Sequence, residues 1–393
     1  MLGGAQLQIV SQIKSNSLCG WDQALVANTR TRPEEGTIVS QVRGLGVEIY
    51  SVKELRNEIV PPQDAIALLK LLAFFRRHRF DVVHTNSTKA GLLGRVAARL
   101  AGVPVIVHTV HGWGFHEWMP WWKRELLIRL ERVAVRAGDC LIACAKRVAE
   151  KGVAVGIGVP ANYAVIQVGI DSEKFCCNAL SAEESKVRLG IPSATPVVGS
   201  VIRLAEQKDP LTLIRTFAMI AGARPEVRFL IVGDGPMRAQ VQALARELGI
   251  LGMMRITGLV QNVAPFLAAF DVFVTTSLWE GMPIAFLESM ILGRPVVACA
   301  VDGVNDLIDH GKTGLLAPPK DVETLARHVI ELLTYPHLRD AIGKAGREVA
   351  KQYDVEKRCA EIRRLYWSMG RSKGLWAGEI PFTSRGDYPS PRD

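Results

Sequence analysis

Long hydrophobic runs are the first thing this 393-residue chain lacks: the longest apolar stretches, Leu68 to Phe75 and Val103 to Val110, are short and interrupted. They fall well under the ~18 residues that span a bilayer, so no transmembrane helix is expected. The N-terminus, Met-Leu-Gly-Gly-Ala-Gln, has neither the charged start nor the apolar block of a secretory signal, which makes the cytosol the expected location. The seven cysteines are odd in number and scattered, forming neither a disulfide framework nor paired CxxC zinc motifs. Cys140 and Cys144 flank a strand-like run and read as core thiols. The basic residues are dispersed and no recognised binding motif accompanies them, which disfavours a nucleic-acid binder.

What is present is ordinary globular composition, 48% hydrophobic and 22% charged, which argues against extensive disorder. The length exceeds what one core usually serves, so two domains are expected. A net charge of +9 favours anionic partners such as phosphorylated small molecules or acidic membrane surfaces.

Short β-branched runs alternate with helical patterns in both halves. In the first they are Gln23–Thr29, Val47–Val52, Asp81–Thr85, Pro104–Thr109, Cys140–Ala143 and Ala164–Gln167. In the second they are Val197–Val201, Arg228–Val232, Arg255–Thr257, Val272–Thr275, Pro295–Ala298 and Gly314–Leu316. Strand then helix, repeated, predicts parallel sheets and an α/β class of two Rossmann-like, doubly wound domains. The pattern divides into residues 1–175, a linker at 176–192 and a second domain at 193–350. A helix at 351–371 returns to the first domain, and 372–393 is a tail without periodicity, expected to be disordered.

Ligands of such sheets bind beyond the carboxyl ends of the strands, at helix N-termini whose free N–H groups favour phosphate. Just after Val197–Val201 stand Arg203 and Lys208. A guanidinium fork and a mobile ammonium together suit a diphosphate; the plainer alternative is two surface cations on a loop. After Val272–Thr275 comes Ser-Leu-Trp-Glu-Gly-Met-Pro-Ile-Ala-Phe-Leu-Glu, which puts Glu280 in a loop and Glu288 about one turn inside a helix. Gly281 permits a tight turn and Pro283 suits the first helical turn. The backbone amides of Gly281, Met282 and Ile284 are placed for phosphate or sugar oxygens. A carboxylate accepts from vicinal hydroxyls, so Glu288 suits a ribose; the alternative is a capping Glu280 and a solvated Glu288.

With Val232–Pro236, Gly258 in Ile-Thr-Gly-Leu-Val and Gly311-Lys-Thr-Gly-Leu following in order, the second half resembles the donor domain of the family 4 glycosyltransferases. The resemblance implies the GT-B fold, with two Rossmann-like domains facing across a cleft. It implies metal-independent hexosyl transfer, with retention, from a nucleotide-sugar that is a co-substrate rather than a cofactor; a UDP-sugar is the expected donor. Arg203 and Lys208 would bind the donor diphosphate, Glu288 the ribose and Glu280 the transferred sugar, lined by Gly233, Gly258, Val260, Gly281, Met282, Pro283 and Ile284. No Asp-X-Asp motif of the metal-dependent kind occurs; positive side chains and a helix N-terminus would act at the diphosphate.

The first half resembles acceptor domains of members that build bacterial cell-surface polysaccharide or glycolipid, often on polyprenyl-diphosphate-linked sugars. Gly3, Gly4, Lys89 and Arg95 are the corresponding acceptor candidates, with solvated helix charges as the alternative for the last two. His111, just past a strand in Val-His-Thr-Val-His-Gly, matches a family histidine near the reacting sugar, whereas Asn86 stands where many relatives carry a second histidine. The resemblance implies a strand before the Gly-Gly-Ala-Gln segment; with Met1 two residues before Gly3, either the true start lies upstream or the first sheet lacks an inner strand, which would expose paired edges.

Trp122, Leu126, Leu130, Val133 and Ala137 line one face of a predicted helix, which reads as core. Its tryptophans, with Lys123, Arg124, Arg129, Arg132 and Arg136 beside them, also fit a peripheral contact with an anionic membrane, on the cytoplasmic face. Two other functions are open to this architecture: a nucleotide-sugar epimerase, which needs acid and base carboxylates around the sugar, and a non-catalytic nucleotide-sugar-binding protein.

Overall fold

The computed structural model describes residues 3–29, 38–56 and 59–378. The chain divides into two compact units, one made of residues up to Gly169 together with Val355 onward, the other of Ile170–Asp354. Residues 176–192 are therefore not a linker. A helix over Ser172–Cys177, capped by Asp171, and another over Ala182–Arg188, opened by a Ser181/Glu184 capping box, belong to the second unit. Lys186 anchors them, 2.8 Å from Asp271.

The first unit contains β1 (Ala24–Ala27), β2 (Glu48–Ser51), β3 (Val82–Asn86), β4 (Val105–Val110), β5 (Cys140–Ala143) and β6 (Tyr163–Val165). β3 to β6 form a parallel sheet in sequential order, and β1 pairs with β2 alone. All six residues of β4 are buried, because a parallel strand is covered on both faces and so reads as a continuous apolar run. One cover is the pair of helices Pro61–His78 and Thr88–Ala101, whose Leu71, Phe74, Phe75, Ala97 and Ala98 pack on Val83 and Ile106. Val26 of β1 and Tyr50 of β2 join the same core. Among the described residues, however, no ladder pairs β1 with β3, so the sheet comes in two pieces.

The other cover is the helix Val355–Ser372, whose Ile362 and Tyr366 pack on Val105, Val107 and Ile142. The expected tail is ordered at its start: Trp376 stacks on Trp367 at 5.1 Å, and Lys373 bonds to Pro104 O and Asp139. Residues 379–393 of that tail lie outside the described residues.

The second unit holds β7 (Val197–Val201), β8 (Arg228–Val232), β9 (Met254–Ile256), β10 (Val272–Val274), β11 (Val296–Cys299) and β12 (Leu315–Ala317). All are parallel, in the order β12-β11-β10-β7-β8-β9. The chain winds outward from β7 to β9, then returns to lay β10 on the other side of β7. Right-handed crossovers put the helices Pro210–Ala223 and Ile284–Ile291 on opposite faces. The neighbours β7 and β10 thus flank a topological switch point, where crossovers diverge and leave a crevice at the carboxyl ends.

Candidate active site

The segments after β7 and β10 carry the predicted donor residues, and the fold brings them together. Arg203 follows β7 and is exposed, and Lys208 ends a short 3-10 turn over Glu206–Lys208. Lys208 Nζ forms an ion pair with Oε1 of Glu280, 72 residues further along the chain. Backbone and side-chain bonds tie the two loops together. Leu278 N donates to Gln207 O at 2.8 Å, Gln207 Nε2 to Trp279 O at 2.9 Å, and Thr276 Oγ1 to Lys208 O at 2.9 Å. The carboxylate is 7% exposed, so a cation beside it offsets a desolvation cost that an unpaired charge would leave standing.

Pro283 sits at the N-cap of the helix Ile284–Ile291 rather than within its first turn. The first N–H groups of that helix have no intrahelical acceptor, and Gly281, Met282, Pro283 and Ile284 are all buried there. Glu288 lies on the second turn, with no ion pair or hydrogen bond among the described residues; desolvation pushes its carboxyl from an ordinary 4.5 up to about 7. On the other side of β7, Gly233 bridges to Gly258, with the half-buried Val260 two residues on. A Cβ on Gly233 (φ 139°) would stand 2.0 Å from Ile202 O, so only glycine lets this turn close on the end of β7. A cation pair, a helix N-terminus and an unpaired carboxylate therefore sit around one strand end, a set able to hold a diphosphate and hydroxyl pairs.

In the first unit the outcome for the acceptor candidates is mixed. Arg95 is fully buried, its Nε donating to Gly91 O at 2.8 Å and its Nη2 to Glu131 Oε2 at 2.6 Å. It is a structural cation and not an acceptor contact. Lys89 is mostly buried and ion-paired to Asp64. Gly3 and Gly4 are exposed at the start of the helix Gly4–Leu18, where Gly3 N donates to Gln6 Oε1 at 2.9 Å.

His111 Nε2 lies 2.8 Å from Asn86 Oδ1, across from β3. With the amide oxygen as acceptor, Nε2 carries the proton and Nδ1 is left as an acceptor. His84 is also close by, its Nε2 2.6 Å from Thr109 Oγ1 and its Nδ1 bonded to Tyr366. Burial first, and the charge of Arg358 second, push both imidazoles down to about 3. His84, Tyr366 and Arg358 were not singled out from sequence; the signal was an arginine and a tyrosine in register on the apolar face of the helix Val355–Ser372.

The helix Trp121–Ala134 buries Leu127, Ile128, Glu131 and Ala134. Most of the face expected as core is turned outward instead: Trp122, Leu126 and Val133 are exposed, Leu130 and Ala137 are half-buried, and the adjoining Trp121 is 80% exposed. Among the described residues no helix is long and apolar enough to cross a membrane.

Two parallel α/β units, one with a charged switch point of this kind, are the parts of the GT-B fold. Residues 181–349 match the family described as glycosyl transferases group 1, and residues 3–169 match the glycosyl transferase 4-like domain. The chain is 32% identical to the 2-deoxystreptamine glucosyltransferase of Streptomyces kanamyceticus, over 74% of this chain and 78% of that one. It is 29% identical to the UDP-Gal:alpha-D-GlcNAc-diphosphoundecaprenol alpha-1,3-galactosyltransferase of Escherichia coli, over 82% and 84%. Anabaena HepE, solved with UDP and glucose, superposes with a TM-score of 0.77 over 93% of this chain and 96% of that one, at 22% identity, a likeness of fold. The chain belongs to the family 4-like glycosyltransferases and is a hexosyltransferase.

Proposed function

We propose that this chain transfers a hexosyl group, with retention, from a UDP-sugar to a sugar acceptor carried on a lipid-linked diphosphate. The bond from the anomeric carbon to the β-phosphate oxygen breaks with its electron pair leaving on UDP, the bond to the acceptor hydroxyl oxygen forms on the same face, and that hydroxyl's proton passes to the departing β-phosphate oxygen. The observation that carries this reading is the Lys208–Glu280 pair at the switch point, beside Glu288 and a helix N-terminus. Lys208 and Arg203 take the diphosphate as its charge grows, helped by the backbone N–H groups of Gly281, Met282 and Ile284. Glu288 accepts from the ribose hydroxyls, and Glu280 positions the transferred sugar. Two side-chain cations and a helix N-terminus supply the positive field without a metal. Nδ1 of His111 accepts from a sugar hydroxyl. Similarity to the galactosyltransferase above supports the acceptor class.

An epimerase would need an acid and a base carboxylate flanking the sugar, whereas Glu288 is taken by the ribose, which leaves Glu280 as a single carboxylate at the sugar. Radiolabelled UDP-hexose with prenyl-diphosphate-linked sugars tests the reading, alongside thermal unfolding with UDP, GDP, ADP and dTDP. Transfer that is EDTA-insensitive and lost in Lys208→Ala, with UDP the most protective nucleotide, is expected. Normal turnover in Lys208→Ala would sink the assignment, and a folded protein protected by none of the four would leave the non-catalytic reading.

The outward face of Trp121–Ala134 favours contact with an anionic bilayer. Exposed Trp121, Trp122 and Leu126 are flanked by exposed Lys123, Arg129, Arg132 and Arg136, a combination suited to the headgroup boundary. Co-sedimentation with phosphatidylglycerol vesicles should fall sharply in Trp121→Ser/Trp122→Ser; unchanged binding would discard this surface.

A further inference from the structure

The helix Val355–Ser372 runs antiparallel to the strands it covers. Its far end reaches Pro104 and Asp139, which precede β4 and β5, through Lys373. Tyr366 meets His84 in the middle of β3. Its first turns therefore arrive at the carboxyl ends of β3, β4 and β5, the edge at which parallel sheets bind ligands.

Arg358 stands at that edge, next to His84 and to His111, the first residue past β4, and near Cys144, the first past β5. It is 6% exposed, its Nη1 is buried without a hydrogen-bond partner, and no carboxylate pairs with it among the described residues. The two imidazoles, Tyr366 and Cys359, all of which press on it, are neutral at pH 7. Burial holds both imidazoles unprotonated, raises the Tyr366 phenol and raises the Cys359 thiol to about 11.

A guanidinium does not deprotonate under these conditions, so its charge is retained in a setting where an uncompensated charge is costly. Arg95, equally buried, also leaves Nη1 without a partner but is ion-paired to Glu131 at 2.6 Å; Arg358 has no such counter-charge among the described residues. The N-terminal end of an 18-residue helix adds a positive dipole at the same edge.

We infer that Arg358 is an anion-binding residue of the first unit, taking a phosphate group of the substrate while His111 Nδ1 accepts from the adjoining sugar. This rests on the acceptor reading above, since a sugar on a diphosphate carries both groups side by side. The phosphate belongs to the acceptor if that reading holds; the same chemistry would be met by the donor's diphosphate, and the two sources give different kinetics.

The test uses the full chain as wild type, Arg358→Met and Arg358→Lys. With the nucleotide site saturated by UDP, inorganic pyrophosphate should raise the unfolding temperature of wild type and of Arg358→Lys, but not of Arg358→Met. In turnover, Arg358→Met should raise KM for a prenyl-diphosphate-linked sugar by roughly tenfold to a hundredfold, the range of a hydrogen bond to a charged group. KM for the alkyl glycoside of the same sugar should rise much less, and KM for the UDP-sugar should stay within a factor of two. A larger effect on donor KM would overturn the assignment to the acceptor. Equal losses with both acceptors, or an unchanged pyrophosphate response in Arg358→Met, would overturn the anion site itself. A preserved pyrophosphate difference with no transfer to either acceptor would leave the site standing and place the failure in the proposed activity.

Discussion

Glu288→Gln should make the protein more stable and blind to its nucleotide. In the folded chain the Glu288 carboxyl loses its proton at about 7 rather than at 4.5. The folded state therefore holds a proton that the unfolded state has released, and its stability falls as pH rises from 4.5 through 7. The difference corresponds to at most about 3 kcal/mol above pH 8, at about 1.4 kcal/mol per pH unit; partial access of water to the side chain reduces it. Glutamine removes the titration. For a unit of this size the gain is up to about 6–12 °C at pH 8.5 and near zero at pH 5. Wild type should be protected by about 2.7 kcal/mol at a hundred times the nucleotide's Kd, increasingly so as pH rises through 7, because the ionised carboxylate is the form that accepts from both ribose hydroxyls. Thermal unfolding from pH 5 to 8.5, with and without UDP, reads both effects. A gain equal at all pH values, or nucleotide protection retained in the variant, would refute the reasoning.

The two units should respond to pH in opposite senses. Folded His84 and His111 resist protonation down to about 3, so the first unit loses stability as pH falls below the ordinary 6.5, and calorimetry should show two transitions drifting apart with pH. His111→Ala should depress turnover far more than UDP protection, and the wild-type rate should show no imidazole limb between pH 5 and 8; equal loss of both properties would make the residue structural. Arg95→Met strands Glu131, itself 2% exposed, and should cost about 3–5 kcal/mol in denaturant melts. Near-normal stability with a selective loss of acceptor affinity would restore Arg95 as a binding residue.

The strands were legible because each is a short β-branched run closed by a turn, and a parallel sheet buries both faces of such runs. The positions of Lys208 and Glu280 were legible for a different reason, although their ion pair was not. Both follow strands, and strand ends are where an α/β chain puts chemistry. Periodicity located an apolar stripe on Trp121–Ala134 but not what covers it, so Trp122, Leu126 and Val133 were read inward when they face out. Arg95 and Glu131, 36 residues apart, carry no local mark of their pairing. Nor does Arg358, whose burial depends on where a helix from the far end of the chain comes to lie. The stretch 176–192 looked like a linker because its helices are short and polar, yet capping by Asp171 and Ser181 and the Lys186–Asp271 contact hold them in place.

The break between β1 and β3 has a mechanical meaning. Within β3 to β6 each strand is held by backbone bonds to its neighbours; among the described residues β1 and β2 join that core through side chains such as Val26 and Tyr50 rather than through a ladder to β3. The β1–β2 pair shares a small core around Ile13, Ile38 and Val42 with the helix Gly4–Leu18, and that helix is in turn pinned by Gln8 to Gly169 and by Ser15 to Glu356 and Arg363, so the two strands are the part free to open first. Amide exchange in β1 and β2 should then run ahead of that in β4, with the rest of the ladder intact beneath it.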